Sequence, residues 1–197
     1  MVYNLSQNQR QRQIKEQDAT LARRHFLKFG IAAAATFAMP NAMASISKQH
    51  ERKLSLLNLH TGESVNATYW SEGSYQASEL SAINRILRDH RTGEVVDIDP
   101  NLVNLLNLLH HEMNGKQPFH VISGYRSPHT NAQLQKNSSG VAKKSFHMQG
   151  KAIDVRLPGR QLSQLHKTAL KLKAGGVGYY PKSDFIHVDT GHVRNWS

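Results

Sequence analysis

Apolar positions recur along residues 54–189 with two different spacings, and the spacings assign the elements. Leu54–Leu59 and Ser64–Trp70 flank the turn-forming His60-Thr61-Gly62-Glu63, which predicts two strands joined as a hairpin. Leu80, Ile83, Ile86 and Leu87 then recur at helical spacing within Tyr75–His90, and Thr92-Gly93 ends that helix. Asp99-Pro100 starts the next helix, because Asp can cap free amides and Pro lacks the N–H that the first turn would leave unpaired. Leu102, Val103, Leu105, Leu106, Leu108 and Leu109 make it apolar on most sides, so it is expected at the centre of the core. Phe119–Ser123 reads as a strand, and residues 124–150 as a long polar stretch with a short helix near Asn131–Lys136. Loops of that length in a compact domain are usually functional. Ala152–Leu157 is a strand and Ser163–Lys173 a helix stopped by Gly175-Gly176. Gly176–Tyr180 and Phe185–Asp189 close the pattern as strands around Pro181-Lys182-Ser183. No repeat or linker interrupts it. The expected class is α+β, a single domain with helices packed on a largely antiparallel sheet.

The N-terminal region follows other rules. Phe29–Met39 is uncharged and apolar, follows a basic segment, and leads into Ala42-Met43-Ala44. That order describes a cleavable secretory signal, and the run is shorter than the ~20 residues of a membrane-spanning helix. Ala22-Arg23-Arg24-His25-Phe26-Leu27-Lys28 resembles the twin-arginine export signal, with Ala where Ser or Thr is usual. The resemblance implies a bacterial protein folded before export by the twin-arginine machinery. Residues 1–44 are therefore read as leader and residues 45–197 as the mature domain, located in the periplasm with no stable membrane insertion after cleavage.

Composition narrows the chemistry. The 197 residues carry no cysteine, which excludes disulfide scaffolds, thiolate metal sites, thiol nucleophiles and a lipoprotein anchor. Twelve histidines remain available. Lys and Arg number 25 against 14 Asp and Glu, a formal +11, and residues 45–197 keep 19 against 12, or +7. Such a domain attracts polyanions. Outside the cytoplasm these are anionic lipid and the carboxylate-rich cell wall. No nucleic-acid-binding motif is present.

Ser145–Asp154 is the densest polar motif. His147 and Asp154 lie seven apart, with Gly150 giving the backbone freedom to turn between them and the small Ala152 beside the carboxylate on one strand face. Alternation along Asp184–Asp189 places Phe185, His187 and Asp189 on one face, with Ile186 and Val188 toward the core. Two histidines and one aspartate, with a fourth position for water, form the ligand composition of a catalytic zinc site.

Ser145-x-His147-x-x-Gly150-x-Ala152-x-Asp154 resembles the signature of the M15-type zinc D-alanyl-D-alanine peptidases, and Ser123-Gly124-Tyr125-Arg126-Ser127 resembles an upstream motif of that group. Leu59–Glu63, Gly140–Ser145, Gly175–Pro181 and Phe185–Gly191 are similar to hallmarks of one exported branch, the murein endopeptidase K family. The resemblance implies a periplasmic enzyme that hydrolyses peptidoglycan cross-links with a zinc-activated water. It implies His147, Asp154 and His187 as Zn2+ ligands and Arg126 as the group that steadies a substrate carbonyl oxygen or carboxylate. The general base is expected at Asp189, which shares the face of His187. Asp189 could instead orient a ligand histidine, and Asp184 holds the position of the family's usual Glu base. Which cross-link is cut, D-Ala to diaminopimelate or diaminopimelate to diaminopimelate, stays open. A D,D-carboxypeptidase, a non-catalytic wall-binding module and a salt-sensitive polyanion binder are the rival readings.

Further residues could border the site: His120, His129, His192, Tyr125, Tyr179, Tyr180, Lys143 and Lys144. His110-His111 is expected at a helix end rather than on a metal.

Overall fold

The computed structural model describes residues 50–137 and 140–197. The expected leader, residues 1–44, lies outside the described residues. No described helix is long and apolar enough to cross a membrane.

In chain order the elements are β1 (Glu51–Asn58), β2 (Ser64–Ser71), β3 (Ser74–Tyr75), α1 (Ala77–Ile86), α2 (Pro100–Glu112), β4 (Phe119–Ser123), α3 (Pro128–Asn137), β5 (Ala152–Arg156), α4 (Leu162–Leu172), β6 (Gly176–Tyr180), β7 (Phe185–Asp189) and β8 (Arg194–Trp196). The strands form one sheet in the order β3-β2-β1-β4-β5-β7-β6-β8. Neighbours pair antiparallel except β1 with β4 and β6 with β8. The α+β class with helices on a mostly antiparallel sheet is thus what forms.

Alternation decides which face carries what. Leu54, Leu56, Ala67, Tyr69, Phe119, Val121, Ile153, Val155, Val177, Ile186 and Val188 are buried with the apolar faces of α1, α2 and α4. Side chains one position along each strand point to the opposite face, and Asp154, His187 and Gly178 stand there in adjacent register. The core helix α2 starts as expected, with Asp99 accepting from Asn101 N–H at 2.9 Å. Leu102, Val103, Leu105, Leu106, Leu108 and Leu109 are all buried, each worth about 1.5–3 kcal/mol of transfer free energy. Buried Asn104 on the same helix accepts from Arg52 and the Tyr69 hydroxyl and donates to the Tyr75 hydroxyl, tying α2 to β1, β2 and β3.

Several boundaries differ from the sequence expectation, each for a local reason. Tyr75 belongs to a strand, because Glu72 (φ 51°) and Gly73 (φ 77°) make a two-residue turn with both residues left-handed, the geometry that closes hairpins. The stretch after β4 holds α3 from Pro128 onward and a 3-10 turn at Phe146–Gln149, so less of it is loop than expected. Helix α4 is ended by Lys173, which takes the left-handed cap position (φ 49°), rather than by Gly175-Gly176. Those glycines serve close approach: a Cβ at Gly175 would lie 1.8 Å from the Asp189 carbonyl oxygen, and one at Gly176 would lie 2.5 Å from an Asp189 carboxylate oxygen. Strand β8 is additional to the expected elements, since it has no apolar periodicity to announce it.

Gly175→Ala should therefore push the end of β7 off its neighbour and cost about 1–3 kcal/mol, read as a lower urea midpoint with unchanged slope. A midpoint equal to that of the parent protein would contradict the contact.

Candidate metal centre

The site begins with two backbone turns that aim one imidazole. Ser145 caps the 3-10 turn by accepting from His147 N–H (3.3 Å). Gly150 ends that turn at φ 65°, where a Cβ would also come within 2.6 Å of the Asp97 carbonyl oxygen. Gly124, after β4, lies against the Leu87 backbone with no room for a Cβ (2.5 Å from Leu87 O), and Tyr125 N–H donates to that carbonyl at 2.7 Å. The Gly124 carbonyl is thereby fixed and accepts from His147 Nδ1–H at 2.7 Å. A carbonyl can only accept, so His147 Nε2 presents a lone pair.

The second imidazole is oriented by a carboxylate. Asp189 has no exposed side-chain surface and accepts five hydrogen bonds. Oδ1 takes Gly176 N–H, Gly191 N–H and one Arg194 nitrogen, and Oδ2 takes the other Arg194 nitrogen and His187 Nε2–H. Burial by itself would raise this carboxyl, but the bonds from His187, Arg194, Gly191 and Gly176 outweigh it and hold it below the usual carboxylate range. With Nε2–H so engaged, neutral His187 turns the Nδ1 lone pair the other way.

His147 Nε2, His187 Nδ1 and Asp154 Oδ1 converge. The separations are 3.2 Å between the nitrogens, 3.3 Å from His147 to Asp154 and 2.9 Å from His187 to Asp154, and all three residues are buried. Three acceptors at this spacing need a positive charge between them. A single proton on His187 bridges one contact, whereas one divalent cation satisfies all three, so the donor set fits the zinc implied by the sequence. Burial pushes the His187 imidazole down, but Asp154 and Asp189 outweigh it and leave it raised.

A cavity of about 710 Å³ opens onto the cluster, lined by Arg126, Lys144, Tyr180, His192 and the aromatic rings of Phe146, Phe185 and Trp196, among others. Arg126 N–H donates to the His147 carbonyl (3.2 Å). Its guanidinium is mostly buried, 3.7 Å from Asp154 Oδ2, with only long contacts to Ser123 Oγ (3.3 Å) and Asn131 Oδ1 (3.4 Å). Its Nε has no partner among the described residues.

The two expected bases stand in different surroundings. Asp189 shares the strand face of His187, yet its lone pairs are filled by five donors and it lies behind the imidazole, on the side away from the cluster. Its Oδ2 accepts from His187 Nε2–H at 3.0 Å, the contact that the alternative left open by the sequence requires. Asp184 sits in a left-handed cap (φ 53°) after Pro181–Ser183, is largely exposed, and pairs with Arg156 at 2.8 Å. It borders a separate depression with His120 and Arg160 rather than the cluster's cavity.

Of the remaining candidates, His192, Tyr180 and Lys144 line the cavity. Tyr125 is buried in the core, Tyr179 stacks on His166 (4.5 Å), exposed His129 bonds Gln133 (2.9 Å), and His110 bonds the Gln117 carbonyl (2.9 Å). Sequence reasoning missed Arg194, Trp196 and Phe146. Arg194 is held over Phe146 (5.4 Å) and Trp196 (5.0 Å), and a lone arginine near a chain end carries no periodic signal.

The family described as peptidoglycan L,D-endopeptidase MepK matches residues 46–196. The chain belongs to the MepK family. Peptidoglycan L,D-endopeptidase MepK of Escherichia coli (strain K12) is 44% identical over 167 residues, covering 85% of this chain and 92% of the relative. The probable MepK of Haemophilus influenzae is 39% identical over 176 residues, covering 88% and 95%. The MepK match includes the three convergent residues, Arg126, and the whole of β8.

Two outcomes follow from the geometry. Asp189→Asn should weaken zinc binding about 10–100-fold in a chelator competition while far-UV circular dichroism is retained; unchanged affinity would contradict its orienting role. The raised His187 value means a proton holds Nδ1 to higher pH than on an ordinary imidazole. Zinc affinity should accordingly fall as pH drops through that value and level off above it. In the metal-free protein the sign is opposite: the His187 contribution to stability is present at low pH and lost as pH rises.

Proposed function

We propose that this chain is an exported zinc peptidase that hydrolyses peptide cross-links of peptidoglycan. The observation that carries it is the convergence of His147 Nε2, Asp154 Oδ1 and His187 Nδ1 at the floor of a cavity beside Arg126. The curated relatives are named L,D-endopeptidases, and we assign this chain the same bond class. His147, Asp154 and His187 would hold the zinc, which supplies a Lewis acid for the scissile carbonyl and lowers the pKa of a water. The chain's own residues do the rest. The Gly124 carbonyl and Asp189 keep the outer protons on the two imidazoles, so the inner lone pairs stay free. Arg126 is placed to bind the substrate oxygen as negative charge develops on it, and a planar, permanently charged guanidinium suits that role. Phe146, Phe185 and Trp196 wall the cavity with apolar surface, which strengthens each polar contact inside it.

We assign residues 1–44 as a twin-arginine leader that delivers the folded domain to the periplasm. The family match, residues 46–196, lies within the domain so assigned. Three buried carboxylates, Asp89, Asp154 and Asp189, sit within an otherwise basic domain. The excess positive charge therefore lies on the surface, where it favours an anionic wall polymer.

Purified protein incubated with sacculi should convert cross-linked muropeptides to monomers, stop on chelation and resume with zinc, as read by mass spectrometry. His147→Ala should abolish this. Loss of terminal D-Ala alone would establish a carboxypeptidase instead, and His147→Ala turning over at the parent rate would refute the ligand assignment.

A further inference from the structure

Tyr180 closes β6 one step along the sheet face from Gly178, which pairs with His187; two residues along a strand span about 6.6–6.8 Å. Its ring stacks on its register partner Phe185 (4.6 Å, 20°), so its direction is set. Its hydroxyl oxygen accepts from Trp196 Nε1–H at 2.8 Å. An indole nitrogen only donates, so the tyrosine uses a lone pair there and its own O–H proton is left to give away. Among the described residues nothing accepts it.

Trp196 is itself fixed. Its ring covers Gly178, where a Cβ would come within 2.7 Å of it, and stands beside the His187 ring (5.2 Å). Arg194, which pairs with Asp189, lies over its face (5.0 Å). The strand that locks the His187 orientation thus also aims the Tyr180 hydroxyl. Tyr180 and Trp196 line the same cavity as Arg126 and the convergent ligands. Among the described residues, apart from Asp154 and the histidines His147, His187 and His192, the charged and hydroxyl-bearing side chains bordering that space besides Tyr180 are donors: Arg126, Lys144, Ser145 and Arg194.

We infer that Tyr180 is a substrate-binding residue that donates its O–H to a carbonyl or carboxylate oxygen of the peptide lying across the metal centre, with Trp196 as its positioning residue. The inference rests on the peptidase reading above and adds a neutral donor to the charged one at Arg126.

The test is steady-state hydrolysis of a purified cross-linked muropeptide dimer by the zinc-loaded protein. Tyr180→Phe keeps the stacked ring and removes the hydroxyl, both the free O–H donor and the acceptor of Trp196 Nε1–H. Its kcat/KM should fall about tenfold, with zinc affinity unchanged and the fold retained by far-UV circular dichroism. Trp196→Phe keeps a ring over Gly178 and loses the N–H; it should lower the same kinetic parameter by less. Because tryptophan acts through the tyrosine hydroxyl, the double variant should match Tyr180→Phe to within about twofold. Tyr180→Phe turning over at the parent rate, or losses that multiply in the double variant, would overturn the inference. A parent protein that binds zinc yet releases no monomers would remove the peptidase reading, and this inference with it.

Discussion

Two imidazole nitrogens and a carboxylate oxygen held 2.9–3.3 Å apart repel one another unless a cation lies among them. Keeping them there draws on every surrounding element. The tautomer of each histidine is set from outside, by a carbonyl for His147 and by a carboxylate for His187. Those outer partners are set in turn. The Gly124 carbonyl is held because residue 124 has no side chain to keep it off the Leu87 backbone, and Asp189 is held by four donors besides His187. The glycines at 124, 150, 175 and 176 all sit where a Cβ would strike backbone, a carboxylate or a guanidinium around this centre.

A second buried carboxylate braces the other side. Asp89 is nearly inaccessible, accepts from the Arg91 and Ser127 amides, and so pins the residue that follows Arg126. Burial would raise it, but the groups of Thr130, Ser127 and Arg91 that face it hold it below the usual carboxylate range. Its contribution to stability, like that of Asp189, is present above the ordinary carboxylate range and is lost as pH falls. Arg126 and His147 are thereby positioned by one framework, since the amide of the first donates to the carbonyl of the second.

Much of this was legible in the sequence. Period-two alternation put Ile186 and Val188 in the core and His187 on the other face, and Asp99-Pro100 marked the start of α2. Each motif residue has a physical reason to be there. Ser145 caps the turn, Gly150 takes its left-handed end, small Ala152 is buried two places from Asp154 on β5, and His147 and Asp154 supply two of the convergent atoms. What stayed hidden was pairing. Alternation says which face a carboxylate takes but not how many donors already occupy it, and Asp189 accepts five hydrogen bonds. It also assumes regular backbone, which fails at Asp184, Glu72 and Lys173, all left-handed without being glycine. Strand β8 escaped because three residues, Arg-Asn-Trp, are too few to show a period, yet Arg194 and Trp196 hold two sides of the site.

The most direct measurement is anomalous diffraction at the zinc edge on crystals of the metal-loaded protein. A three-ligand centre predicts a single strong peak bounded by His147 Nε2, His187 Nδ1 and Asp154 Oδ1, at about 2.0–2.2 Å from each. A peak elsewhere, or none between these atoms at saturating zinc, would contradict it.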